Sequence, residues 1–176
     1  MRNAVVFAVL AIGLTAMADD EAGKKYTSKD GKFAVQFPAG AKIKTMDQNA
    51  PGGIVVKTTT VEADMKTYTV ICTVLPGGAL KVIPPKDILD GAEQGAVAKN
   101  GGRKVSAKDL VFGKEKFPGR EIVVEKDSNL VRTQIIIADP KVFAVVVGGP
   151  KDFATGKEGT EFLKSFELLK LAKSDP

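Results

Sequence analysis

The stretch Leu130-Val131-Arg132-Thr133-Gln134-Ile135-Ile136-Ile137-Ala138, the turn Asp139-Pro140-Lys141 and the run Val142-Phe143-Ala144-Val145-Val146-Val147 decide the fold. Each apolar run has strand length, is rich in β-branched residues and is bounded by turn-forming ones, which predicts two consecutive strands. Ile135 to Ile137 and Val142 to Val147 are apolar at successive positions, so both faces of these strands carry apolar side chains. A strand buried on both faces needs cover on both sides of its sheet. Immediately upstream, Phe117 to Lys126 reads as a strand turned into Leu130 by Asp127-Ser128-Asn129, giving a meander of three. The expected class is α+β, an antiparallel sheet flanked by helices on both faces, that is, an α/β/α sandwich.

Working outward, Arg103 to Phe112 reads as extended. Pro84-Pro85-Lys86-Asp87 opens a helix that Asn100-Gly101-Gly102 stops, with proline and acid at its start as helix entry favours. Ile88, Leu89, Ala92, Ala96 and Val97 form its apolar stripe. Gly91 and Gly95, one turn apart, weaken it and predict close approach to the sheet. Ile54 to Ala63 and Lys66 to Leu75 form a hairpin, with Tyr68, Val70, Cys72 and Val74 on one face. Tyr26-Thr27-Ser28 and Phe33 to Phe37 are strands around the turn Lys29 to Lys32, and Asp47 to Gly53 reads as a loop. A last helix spans about Gly156 to Ser165 with Phe162, Leu163 and Phe166 inward, after which the chain extends back onto the sheet.

At the other end of the chain, Ala4 to Leu14 carries no charge and follows Arg2, Ala16 and Ala18 stand where a signal peptidase reads, and Asp19 follows. This is the layout of a secretory signal peptide. Eleven apolar residues fall short of the roughly 20 that span a bilayer. The expected organisation is a signal peptide at 1–18 cut between Ala18 and Asp19, a lead-in at 19–25, one globular domain at 26–170 and a polar tail at 171–176. Of 176 residues, 26 are basic and 21 acidic; losing the first 18 residues, with Arg2, leaves 158 residues at net +4. About 160 residues suit one domain. The expected product is exported (periplasmic or extracellular), soluble once the leader is gone, monomeric and without a transmembrane segment.

The composition excludes several chemistries. There is no histidine, hence no Ser-His-Asp or Cys-His catalysis and no imidazole metal ligand. The single cysteine, Cys72, rules out an internal disulfide and a Cys-only metal site, and its mid-strand position predicts burial. The aspartates lack calcium-loop spacing. Val147-Gly148-Gly149-Pro150-Lys151-Asp152 has a proline and lacks the hydroxyl residue of a phosphate loop, and it predicts a plain turn. No catalytic, cofactor or metal site is expected, and no cofactor is implied.

Three functional readings follow. The first is a non-catalytic binding or envelope-assembly accessory. The second is a hydrolase or lyase built on paired carboxylates, drawn from Asp87, Asp90, Glu121, Glu125, Glu158 and Glu161, or on a Lys with a Ser. The third is a peripheral module that binds an anionic surface through segment 99–120, whose candidate contacts are Arg103, Lys104, Lys108, Lys114, Lys116 and Arg120. Export and the shortage of exposed aromatics argue against nucleic acid.

The segment Tyr26-Thr-Ser-Lys-Asp-Gly-Lys-Phe-Ala-Val-Gln-Phe-Pro38, the strand start Phe117 to Glu121, and the closing blocks Arg132 to Ala138, Val142 to Val147 and Phe162 to Phe166 resemble the PsbP-like superfamily. Small exported bacterial proteins are among its members, and it shares its fold with a Ran-binding nuclear import factor. The resemblance implies an antiparallel sheet with flanking helices and a binding or assembly role, and it carries no catalytic residue onto this chain. Phe143 stands where the family pattern usually has Tyr.

Overall fold

The computed structural model describes residues 25–40, 42–63 and 65–169. The leader, its cleavage residues Ala16, Ala18 and Asp19, and the polar tail lie outside the described residues.

The fold is α+β and dominated by strands. Four successive strands form an up-and-down meander: β6 (Arg103–Phe112), β7 (Phe117–Lys126), β8 (Asn129–Ala138) and β9 (Lys141–Pro150). The turns are tight because the register pairs Lys126 with Asn129 and Ala138 with Lys141. Ahead of them come β3 (Lys44–Ala50), β4 (Ile54–Ala63) and β5 (Lys66–Val74), and β5 pairs antiparallel with β9. The seven strands lie in the order β3-β4-β5-β9-β8-β7-β6. The connection from β5 to the far edge runs through α1 (Ala79–Val82) and α2 (Pro85–Asn100). A separate three-stranded sheet is made by β1 (Lys25–Ser28), β2 (Phe33–Gln36) and β10 (Glu167–Leu168), with β2 in the middle. Between β9 and β10 stand α3 (Lys151–Thr155) and α4 (Lys157–Ser165).

Strand alternation sorts the core into two clusters. Phe143, Val145 and Val147 of β9 join Tyr68, Val70 and Cys72 of β5, Phe33 and Val35 of β2, Phe153 of α3, and Phe162 and Leu163 of α4, with Phe166 beyond it. Val142 of the same β9 joins Ile122 and Val124 of β7, Ile135 and Ile137 of β8, and Ile88 and Leu89 of α2. Consecutive side chains on a strand point to opposite faces, so the apolar runs in β8 and β9 feed both clusters. Cover is uneven across the sheet. α2 lies chiefly on β6, β7 and β8, while α3 and α4 lie on β8, β9 and β2.

Four expectations are corrected. Residues 47–50 are not loop but the second half of β3, an edge strand paired rung for rung with β4 from Lys44↔Thr60 to Ala50↔Ile54. Its sequence, KTMDQNA, is polar on both faces, so no hydrophobic alternation betrays it, and charge is what a sheet edge tolerates. Gly91 and Gly95 do not allow close packing: a methyl group on either would meet nothing within 4 Å. The glycine-rich stretch 147–150 is the end of β9 rather than a turn. A side chain on Gly149 would meet the Met65 carbonyl oxygen at 2.9 Å. The expected last helix is α4, and the short α3 that precedes it, unforeseen in the sequence, is set apart from it by Gly156. The extension after α4 pairs with β2, not with the main sheet.

Candidate binding surface

The basic segment separates into two groups. Arg120 sits on β7 with its side chain 11% exposed. Its guanidinium donates to Asp109 at 2.7 Å, to Asp90 at 2.8 Å and to Glu93 at 2.9 Å. Asp109 lies directly across the ladder from Arg120, and Asp90 and Glu93 descend from α2. Lys104 adds a 2.6 Å bond to Glu93, and Lys86 bonds Asp90 from within the helix. Arg103 is paired with Glu125 at 2.6 Å. These charges hold one another. The Asp90 carboxyl is pulled below its ordinary range by Lys86 and then Arg120, the Glu93 carboxyl by Lys104 and then Arg120. Asp109 and the helix carboxylates push the Arg120 guanidinium still further toward the charged form. The network clips α2 to β6 and β7.

Lys108, Lys114 and Lys116 differ. All three are exposed and none forms an ion pair among the described residues. Lys108 is on β6, and the other two are in the β6–β7 turn.

The candidate carboxylates are also dispersed. Glu121 accepts from Arg132 at 3.2 Å and Gln134 at 2.9 Å, and Glu125 is held by Arg103. Glu161 is loosely paired with Lys157 at 3.7 Å, and Asp87 is exposed at the start of α2. Glu158 and Glu161 share a depression. It is a groove of about 570 Å³ between the end of β2 and α4, also lined by Phe37, Pro38, Tyr68 and Ser165. There Lys66 bonds Glu158 at 2.8 Å and the Tyr68 hydroxyl donates to the same carboxylate. Lys66, then Tyr68, lower the Glu158 carboxyl, while burial and then Glu158 raise the Tyr68 phenol. Every described carboxylate whose titration is displaced moves downward.

A second groove, about 390 Å³, opens where the cover by α2 stops. Thr67, Thr69 and Ile71 of β5 with Val131 and Val146 form its floor, and Lys99, Asn100 and Asn129 stand at its margin. It is an open, β-branched surface with amides and one cation at the rim.

Two functional-looking side chains escaped the sequence reading. Arg132, 15% exposed, donates to the Ala154 carbonyl at 3.0 Å and to Thr160 at 3.1 Å, tying β8 to α3 and α4. Its signal was an arginine inside an otherwise apolar strand. Lys141 is 9% exposed and donates to the Asp30 carbonyl at 2.6 Å and the Gly31 carbonyl at 3.1 Å. Burial lowers its pKa, and burial raises that of nearby Cys72. Lys141 pins the β1–β2 turn to the sheet.

No protein-family model matches the chain, and no curated protein matches it. Among solved structures it is similar to cyanobacterial PsbP (CyanoP) from Synechocystis sp. PCC 6803, with a TM-score of 0.54 at 12% identity. The similarity covers 89% of this chain and 98% of that one. The fold is PsbP-like. Weaker likenesses are a Bacteroides thetaiotaomicron protein (TM-score 0.40, 14% identity, 88% of this chain and 52% of that one) and a Pseudomonas aeruginosa protein of unknown function (0.37, 10%, 74% and 85%). Neither bears on the argument. Among the described residues, no helix is long and apolar enough to cross a membrane.

Proposed function

We propose that this chain is an exported, non-catalytic binding or assembly accessory of the cell envelope, a single domain whose sheet is sheltered front and back by helices. The observation that carries the non-catalytic part is the state of its carboxylates. Proton transfer near neutrality wants a carboxyl raised toward the working pH, and the displaced ones here are all held down by neighbouring cations. The grooves offer hydroxyls, amides and β-branched surface, which suit recognition. Export rests on the charge, apolar run and small residues of positions 1–18.

Glu158 and Glu161 are the pair a hydrolase would use, since they share a groove. A general acid there requires one of them raised, and Glu158 is lowered. A reporter fused to residues 1–25 tests the compartment: it is expected outside the cytoplasm, and retention inside ends the proposal. Capture from the envelope fraction tests the accessory role. A reproducible partner should survive Glu158→Gln and Glu161→Gln together.

A further inference from the structure

One end of the main sheet gathers the turns after β3 and β8, helix α1 and the β6–β7 turn. Strand direction forces this, because β4, β7 and β9 begin there while β3, β5, β6 and β8 end there. Among the described residues this end carries Val55 on β4, Val82 on α1 and Val111 on β6, exposed by 37%, 79% and 70% and spread across the sheet, while exposed Met65 and Val105 are at the other end.

Val111 is the most informative of them. Its neighbour Phe112 faces Phe117 across the ladder and packs against Phe166 in a tilted ring contact, centroids 5.7 Å apart. Alternation therefore turns Val111 to the opposite side, where its cross-strand partner Pro118 is also exposed. One rung further in, Asp109 and Arg120 meet the charges of α2, and α2 leaves Val111 uncovered. The turn between the strands carries Lys114 and Lys116, both exposed, while Lys108 further down β6 is on the face opposite Val111. Opposing charges are few. Glu115 sits between the two lysines, Glu121 is engaged by Arg132, and Asp109 is engaged by Arg120.

We propose that the β6–β7 hairpin tip is a membrane-docking element that sets Val111 and Pro118 into the headgroup region of an anionic bilayer, with Lys114 and Lys116 of the turn on the lipid phosphates. The chemistry favours lipid over protein. Interface cores between proteins are depleted in lysine and their hot spots enriched in Trp, Tyr and Arg, and the tip shows the reverse. Anionic leaflets attract lysines, and short apolar side chains beside them insert shallowly. The proposal goes beyond the accessory role and holds whether or not the leader is cut.

The test is a polarity-sensitive dye on the full chain carrying Val111→Cys, with the same dye on Ser128→Cys, exposed in the β7–β8 turn at the other end of the sheet. Buried Cys72 stays unlabelled in the native protein, which the labelled wild type checks. Vesicles of phosphatidylglycerol and phosphatidylcholine should shift the Val111→Cys dye to the blue, and phosphatidylcholine alone should not. High salt should reverse the shift. Each lysine is worth roughly a factor of five in partitioning, so Lys114→Ala with Lys116→Ala should weaken binding about twenty-five-fold. No shift with anionic vesicles overturns the proposal. So does an equal shift at Ser128→Cys, which reports association through another segment, or a shift given only by an envelope protein. An unchanged partition of the double lysine variant overturns it too.

Discussion

The two hydrophobic clusters are held by different forces. On the α3–α4 side, rings close the gap: Phe33, Phe143 and Phe166 meet at centroid distances of 5.5 to 6.1 Å, and Tyr68 lies 5.2 Å from Phe162 and 5.3 Å from Phe153. These residues come from β2, β5, β9, α3, α4 and the segment after α4. That cluster therefore forms only when distant parts of the chain meet. On the α2 side the cluster is smaller and aliphatic, and a belt of charges around Arg120 clips the helix in place. Aromatic burial is strong and insensitive to pH. An ion-pair belt, partly in water, is weaker and fails in acid.

Two substitutions of identical chemistry break or sharpen this contrast. Leu163→Ala, from a residue 2% exposed among the rings, should cost about 3–5 kcal/mol. Leu89→Ala, from a residue 5% exposed under α2, should cost about 2–3 kcal/mol, because a thinner layer relaxes around the gap. Equal losses in urea melts would erase the contrast.

Arg120→Met should cost about 1–2 kcal/mol at neutral pH, since it leaves Asp90, Glu93 and Asp109 without their shared cation. The pH dependence has a definite sign. Asp90 and Glu93 have lowered folded-state pKa values, so their contribution is complete above the unfolded carboxylate range, about pH 4 to 4.5, and is lost as pH falls through the folded values. Wild type should therefore lose stability below about pH 4.5 more steeply than Arg120→Met does. Parallel acid profiles would mean that Arg120 adds nothing to what Lys86 and Lys104 already supply. Tyr68→Phe should have the smallest effect, about 0.5–1.5 kcal/mol by thermal melting, because Lys66 still holds Glu158.

Much of the fold was legible. The β7 to β9 meander and the stripe of α2 read directly from apolar runs punctuated by Asp-Ser-Asn and Asp-Pro, because burial on both faces leaves an unambiguous hydrophobic record. β3 was hidden since an edge strand needs only its backbone hydrogen bonds. α3 was missed because its five residues follow β9 directly and are too short to show a helical period, whereas α4 was legible from its apolar spacing. The candidate surface was less readable. Lysines and arginines in segment 99–120 look alike in sequence. What separates Arg120 from Lys114 is the arrival of Asp90 and Glu93 from a helix about thirty positions away. Lys141 shows the same limit, pinned by carbonyls of a turn more than a hundred residues earlier.

Native-state hydrogen exchange resolved by residue tests most directly whether shelter is concentrated at the middle of this sheet and thins toward its edges, where recognition is proposed. Amides of β9 and β5, between ring cluster and aliphatic layer, should exchange only through global unfolding, while those of β3 exchange through local opening at much lower free energy. Protection in β3 equal to that in β9 would contradict the account.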